Sequence, residues 1–414
     1  MRKSPLSGHG SPGGPKNPQH ILKALSQKSL VFLLRNPTHP STPDVMEIPY
    51  PPPIPSASAR GTTAQLAFTR MIFDGPGQLH RRLTSTTAPT LLEGEFLVRL
   101  TLATICGSDL HTYEGRRSAP TPCVLGHEGV GVIVASGCSE DARFIGRRIT
   151  WTLTDTCGGC SACTTWNLPQ KCDSLFKYGH ASVDDGAGYS GCFASHIVLR
   201  PGTEKVFLPD SLPDHAVAPA NCALATMMAA LEKVPHHAER VVIQGAGLLG
   251  VYGCALLRDR GVKDIFVSDP VASRLALIRD FGGRTLTESE KNLSSFDAVI
   301  EVAGVPEVIA EGLHLLRPGG TYVLAGMVHE DTALNLKGGD LVRGCVTLVG
   351  LHNYAARHLK EGISFLTRAK DDFPWGKLVS PPVPLSKIDE AFALSQTREW
   401  PRVSVMPDFP DLST

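Results

Sequence analysis

The sequence predicts an α/β protein in which a β-rich domain precedes a doubly wound parallel sheet, with a disordered extension in front. Three observations predict this. Residues 64 to about 219 read as short strands broken by Gly, Pro and Asp/Asn turns, which is an all-β pattern. From Ala223 apolar strands alternate with helices, and that alternation implies a parallel sheet covered on both faces. The first 60 or so residues hold twelve prolines by Pro55, and residues 1–43 carry six Lys/Arg and no Asp or Glu. Such a stretch cannot bury enough apolar surface to order itself.

In chain order, the extension spans 1–63. Within it residues 21–34 are weakly amphipathic and basic, a pattern that would also suit an organelle transit peptide and a mitochondrial destination. The β-rich domain spans 64–223, with strands expected at 96–102, 129–135 and 193–199. Residues 224–352 form the parallel-sheet domain. Its strands are expected at 241–244, 265–268, 298–300 and 321–324, with helices after Gly247 and from Ala272. Residues 353–414 hold one helix, 355–367, and a strand at 403–405 that returns to the first domain.

Composition narrows the function. Lys plus Arg and Asp plus Glu are both 40 in 414 residues, so no net field attracts nucleic acid or an acidic membrane surface. The longest apolar run near the N-terminus is 30–34, far short of the ~20 residues that span a bilayer. The default ligand is a small molecule. Eleven cysteines, four of them within 157–172, are unlike a disulfide framework and suit reduced thiols and metal in a reducing compartment, the cytoplasm.

Two motifs carry chemistry. The apolar strand 241–244 runs into Gly245-Ala246-Gly247-Leu248-Leu249-Gly250 and a helix, and Asp269 lies 24 residues beyond Gly245, at the end of the next strand. That context is what dinucleotide binding requires. Gly245 permits the tight turn, Gly247 lets backbone approach a pyrophosphate, and Gly250 lets helix and strand pack closely. Asp269 would bind the adenosine ribose and repel a 2′-phosphate, favouring NAD. Arg274, five residues on, admits NADP. In the second motif, Cys157, Cys160, Cys163 and Cys172 place four thiolates in one polar loop, which suits a closed structural zinc site. An iron–sulfur cluster is the alternative. Cys123, Cys138, Cys192, Cys254 and Cys345 have no partner spacing and read as small core residues. His180, His196, His236 and His237 read as turn or surface residues.

Three further segments, Ile105-Cys106-Gly107-Ser108-Asp109-Leu110-His111, Leu125-Gly126-His127-Glu128-Gly129 and Cys222 before an apolar helix, complete a pattern that resembles the zinc-dependent medium-chain alcohol dehydrogenase family from about Ala64 to Met406. The stretches Lys177-Tyr178-Gly179-His180, Pro219-Ala220-Asn221-Cys222 and Leu351-His352-Asn353-Tyr354 resemble more narrowly the branch labelled phosphonate-catabolism-associated alcohol dehydrogenases. The resemblance implies a chaperonin-10-like catalytic domain and a Rossmann domain. It also implies one catalytic zinc on Cys106, His127 and Cys222, one structural zinc, and Glu128 close to the catalytic metal. Ser108 would take the alcohol proton and His111 would relay it. Val302 and Gly326 would flank the nicotinamide. The implied reaction oxidises a primary or secondary alcohol to its carbonyl, or the reverse, in a homodimer or homotetramer paired through a strand at 346–350. A zinc-free quinone or enoyl reductase would lack Cys106, His127 and Cys222 as a set. The remaining alternative is a silent nucleotide-binding protein, which intact Ser108 and His111 argue against.

Two departures from the family pattern stand out. Cys163 and Cys172 are separated by eight residues rather than seven, and Gly107 replaces an arginine that some relatives place against the pyrophosphate. Arg117, between His111 and His127, falls where relatives border the substrate pocket. With Arg116 it would hold a carboxylate, phosphate or phosphonate bidentately. Solvated surface arginines are the alternative.

Overall fold

The computed structural model describes residues 67–327, 333–334 and 336–408, all within one compact unit, Pro49–Thr414. The expectations for residues 1–63, including the transit-peptide reading, lie outside the described residues.

The β-rich part is built on two long antiparallel strands, β1 (Phe96–Ile105) and β2 (Glu128–Ser136), paired through Thr104 and Glu128. Every residue of β1 is buried because sheet neighbours and packed segments cover both faces. The expected strand at 193–199 is shorter, His196–Leu199. Its first half crosses to another sheet: Met71 N donates to Phe193 O (3.0 Å) and Ser195 N to Thr69 O (2.8 Å), whereas Val198 and Leu199 pair with β1. A two-residue strand, β3 (Phe176–Lys177), pairs with Thr154–Asp155 beside the four-cysteine loop.

Helix α1 (Gly107–Tyr113) leaves the end of β1, and α2 (Ala223–Leu231) leads into the parallel sheet. The strands of that sheet are β4 (Arg240–Gln244), β5 (Asp264–Ser268), β6 (Arg284–Thr285), β7 (Phe296–Glu301), β8 (Leu316–Leu324) and β9 (Thr347–Gly350), in spatial order β6-β5-β4-β7-β8-β9. All pairs are parallel, and the order reverses between β4 and β7. A ligand crevice lies outside the strand ends at such a reversal. Alternate residues explain the two covered faces. Val241, Ile243, Val267 and Ile300 enter one core, and Val242, Phe266, Val299 and Tyr322 enter the other. Each fully buried Val or Ile stabilises the fold by roughly 1.5–3 kcal/mol.

The last strand, β10 (Val403–Met406), returns to pair antiparallel with β1, Val403 opposite Ile105. That pairing delivers Arg402 beside Cys106. No helix among the described residues is long and apolar enough to cross a membrane.

Candidate active site

Cys106 follows β1 and caps α1, His127 immediately precedes β2, and Cys222 caps α2. The β1–β2 pairing makes the first two neighbours although they are distant in sequence. Asn221 brings in the third: its Nδ2 donates to His127 O at 3.0 Å and to Trp151 O at 3.1 Å, and the Tyr354 hydroxyl donates to Asn221 O. One donor atom from each of Cys106, His127, Glu128 and Cys222 lies within 4.8 Å of the others.

This donor set fits zinc. The Sγ atoms of Cys106 and Cys222 are 4.0 Å apart, close to the ~3.8 Å that two thiolates about 2.3 Å from a tetrahedral zinc would show. Nδ1 of His127 faces Asp109 Oδ1 at 3.3 Å, which leaves Nε2 for the cluster. Asp109 also accepts from Cys106 N (2.8 Å) and Gly126 N (3.3 Å), fixing both ligand segments. Contact with the Cys222 thiol and the nearby Arg402 charge hold the Cys106 thiol well below its usual range, toward the thiolate that a metal needs.

Glu128 is fully buried and already engaged. It accepts from Thr104 Oγ1 (2.6 Å) and bidentately from Arg402, whose Nη2 also lies 3.4 Å from Cys106 Sγ. Burial raises the Glu128 carboxyl, and the guanidinium opposes that rise.

The second cluster comprises Cys157, Cys160, Cys163 and Cys172, whose sulfurs also all lie within 4.8 Å of one another. Cys160 Sγ is 3.5 Å from Cys163 Sγ and 3.9 Å from Cys172 Sγ, again tetrahedral spacing for zinc. The backbone donates to these sulfurs: Cys157 N to Cys172 Sγ (3.2 Å), and Gly159 N and Cys160 N to Cys157 Sγ (3.4 Å each). All eleven cysteines are free thiols. Cys123, Cys192 and Cys254 are buried as expected of core residues, but Cys138 is only partly buried and Cys345 is exposed. Cys345 takes a left-handed turn at the end of a short surface helix.

A cavity of about 340 Å³ is lined by Gly107, His111, Gly247, Arg274 and Arg402, among others. Gly245 has φ +114°, a Cβ on Gly250 would sit 2.1 Å from Gly245 O, and a Cβ on Gly247 would meet nothing within 4 Å. The turn is therefore closed to side chains on the protein side and open on the cavity side. Asp269 accepts from Ala246 N and Val271 N, both at 2.8 Å, with Arg274 Nη1 3.8 Å away. Val302 N donates to Gln244 O at 2.9 Å. Glu301, which sequence reasoning missed, accepts from Gly304 N (2.6 Å) and Gly326 N (3.0 Å) and so ties together the ends of β7 and β8.

Ser108 and His111 are half-buried on α1, and His111 faces the cavity. Arg116 is exposed and pairs with Glu114, whereas Arg117 is half-buried. Two histidines depart from their surface reading. His180 packs 5.3 Å from the His127 ring, and His196 is buried beneath Phe68. His236 and His237 are exposed. Arg402, Asn221 and Tyr354 were also missed; the last two lie in stretches singled out only for resemblance.

Residues 92–210 match the alcohol dehydrogenase GroES-like domain, and 217–399 match the glucose dehydrogenase C-terminus. The chain is similar to L-threonine 3-dehydrogenase of Proteus mirabilis, 27% identical over 271 residues, 61% of this chain and 76% of that protein. It is also similar to 5-exo-hydroxycamphor dehydrogenase of Pseudomonas putida, 26% identical over 324 residues, 73% of this chain and 88% of that protein. Among solved structures, an alcohol dehydrogenase from Thermotoga maritima superposes with TM-score 0.77 at 28% identity, covering 83% of this chain and all of that one.

Proposed function

The chain belongs to the zinc-dependent medium-chain alcohol dehydrogenase family, and from that premise we propose that Cys106, His127 and Cys222 hold its catalytic zinc in an NAD-linked alcohol dehydrogenase. It is an oxidoreductase acting on CH–OH groups. The observation that carries the site assignment is the convergence of these three donors beside a cavity walled by Gly247. When bound, zinc supplies Lewis acidity that makes a hydroxyl easier to deprotonate, and the nicotinamide supplies a hydride acceptor.

The chain's own residues do the rest. Ser108 takes the alcohol proton, and His111, on the cavity wall, passes it outward. Arg402 holds Glu128 in place behind the zinc ligands through two hydrogen bonds to its carboxylate. Val302 and Gly326 flank the nicotinamide, held by Gln244 and Glu301. Asp269 is fixed by its two backbone donors and keeps spare lone pairs for ribose hydroxyls. Its charge disfavours a 2′-phosphate, so NAD is preferred, and Arg274 is the residue through which NADP would be accepted. The four-cysteine lobe holds a structural zinc, because a closed four-sulfur set leaves no position for substrate. Edge strand β9 is the surface through which a homodimer or homotetramer would form.

The test is a metal count joined to an alcohol screen with NAD and NADP. About two zinc ions per chain and NAD-linked oxidation are expected. Cys106→Ser should lose one zinc and turnover together. Zinc-loaded protein that binds NADH yet oxidises no alcohol would end this reading.

A further inference from the structure

We propose that Asn221 and Tyr354 are positioning residues for the catalytic zinc, which together fix the Cys222 arm of the site against the His127 arm. The proposal rests on the zinc assignment made above and deepens it, naming what sets the geometry at that ion.

The three donors are secured in different ways. Asp109 secures two of them, accepting from Cys106 N at 2.8 Å and Gly126 N at 3.3 Å and facing His127 Nδ1 at 3.3 Å. The Cys222 arm is held differently. Cys222 sits at a break between the short 3-10 helix Ala218–Asn221 and α2, with φ −122° and ψ −73°, well away from the helical values near −63° and −42°. Its own N donates to Pro219 O at 3.4 Å, a long bond. Such a break does not aim a side chain by itself, because the regular backbone bonds that fix a helical residue are interrupted there.

The residue beside it supplies the missing constraint. Asn221 is fully buried, and its Nδ2 donates to His127 O at 3.0 Å and to Trp151 O at 3.1 Å. One amide therefore reaches from the neighbour of Cys222 to the backbone of His127 itself. Only a side chain with two donors on one nitrogen can serve both carbonyls; aspartate has none to offer, and neither has an apolar residue of that size.

Tyr354 closes the clamp from the parallel-sheet side. β8 and β9 pair in parallel, Leu351 N donates to Leu324 O at 2.8 Å, and Asn353 turns left-handed at φ +56°. Tyr354 follows, buried, with its hydroxyl donating to Asn221 O and accepting from Leu153 N at 3.0 Å. Asn221 is thus held at its backbone by Tyr354 while its side chain holds His127. Rotating the Cys222 segment would break bonds at both ends. Hydrogen bonds made behind metal ligands typically account for about 10–100-fold in metal affinity.

The experiment withdraws zinc from the full-length, zinc-loaded protein with a chromogenic chelator and compares the parent with Tyr354→Phe and Asn221→Ala. The ion missing from Cys106→Ser identifies the catalytic one, and the four-cysteine zinc serves as internal control. In both variants the catalytic zinc should bind at least about tenfold more weakly, with the four-cysteine zinc held as in the parent. Cobalt substituted at the catalytic site should show displaced d–d absorption bands in both, since those bands follow ligand geometry. A fold that is merely less stable would not move them. Tyr354→Phe keeps the buried ring, so it decides the matter even if Asn221→Ala fails to fold. Equal weakening of both zinc ions overturns the proposal, as do parental cobalt bands and zinc affinity in Tyr354→Phe. Failure of the zinc assignment shows separately, as the same zinc count in the parent and in Cys106→Ser.

Discussion

Arg402 donates Nε and Nη2 to the two carboxylate oxygens of Glu128 at 2.8 and 2.9 Å, an ion pair with both partners buried. The pair joins the last strand of the chain to the first residue of β2 and touches Cys106 Sγ. Removing one partner leaves the other charge buried alone, which costs about 3–5 kcal/mol. Arg402→Met should therefore lower unfolding free energy by that amount in denaturant titration. The double variant Arg402→Met/Glu128→Leu should recover at least half of it. A loss below about 1 kcal/mol in the single variant, the scale of an exposed pair, would contradict the buried pairing.

The nucleotide-binding turn separates stability from binding at two glycines. A methyl on Gly250 would meet Gly245 O at 2.1 Å, so Gly250→Ala must move backbone and should cost about 1–3 kcal/mol as well as NADH affinity. Gly247 has φ −71° and open space around its Cβ position. Gly247→Ala should melt within about 0.5 kcal/mol of the parent and still bind NADH at least about tenfold more weakly, because the methyl projects into the cofactor's space. Fluorescence titration and thermal melting of both variants check this. Equal NADH affinity for Gly247→Ala and parent would place the pyrophosphate elsewhere.

The four-cysteine lobe exposes Trp166, Leu168 and Leu175, so it has little core to hold it without metal. Cys160→Ser should lose one zinc per chain. It should also open the loop between Cys157 and Cys172 to limited proteolysis, with cleavage at least about tenfold faster. Mass spectrometry of the fragments locates the cut. Cleavage confined to other loops would show that the lobe is held by packing instead.

Which parts of this were legible in the sequence follows from the range of the physics involved. The parallel sheet was readable because strand and helix periodicities are local, and the glycines because turn geometry admits few alternatives. The residues around Cys106 and Cys157 were nameable because metal coordination demands particular side chains at constrained spacing. Arg402 was not, since it meets Glu128 across 274 positions and nothing local marks an arginine before a returning strand. His180 was read as a turn or surface residue for the same reason: its packing against the His127 ring exists only in the folded chain. The shortening of the strand expected at 193–199 reflects a competition between two sheets for one segment, which alternation alone cannot resolve.

His80 and Asp389 give the fold an acid-sensitive joint. The His80 side chain is fully buried, stacked against Tyr113 and tilted against Phe392. Its Nδ1 lies 2.7 Å from Asp389 Oδ1, and its backbone N donates to the same carboxylate. Burial works to raise the Asp389 pKa, but hydrogen bonding and charge from His80 outweigh it and leave the carboxyl below its ordinary value. A carboxylate depressed in the folded state contributes stability that is present above its unfolded pKa, about 3.9, and is lost as pH falls through the folded value. Asp389→Asn should therefore be less stable than the parent at neutral pH, by about 1–3 kcal/mol for a hydrogen bond to a charged group. The two melting curves should converge below about pH 4. Comparing variant with parent at each pH cancels any loss of metal common to both. A difference in melting temperature that stays constant from neutral pH down to pH 3 would mean that the carboxylate charge contributes nothing at this joint.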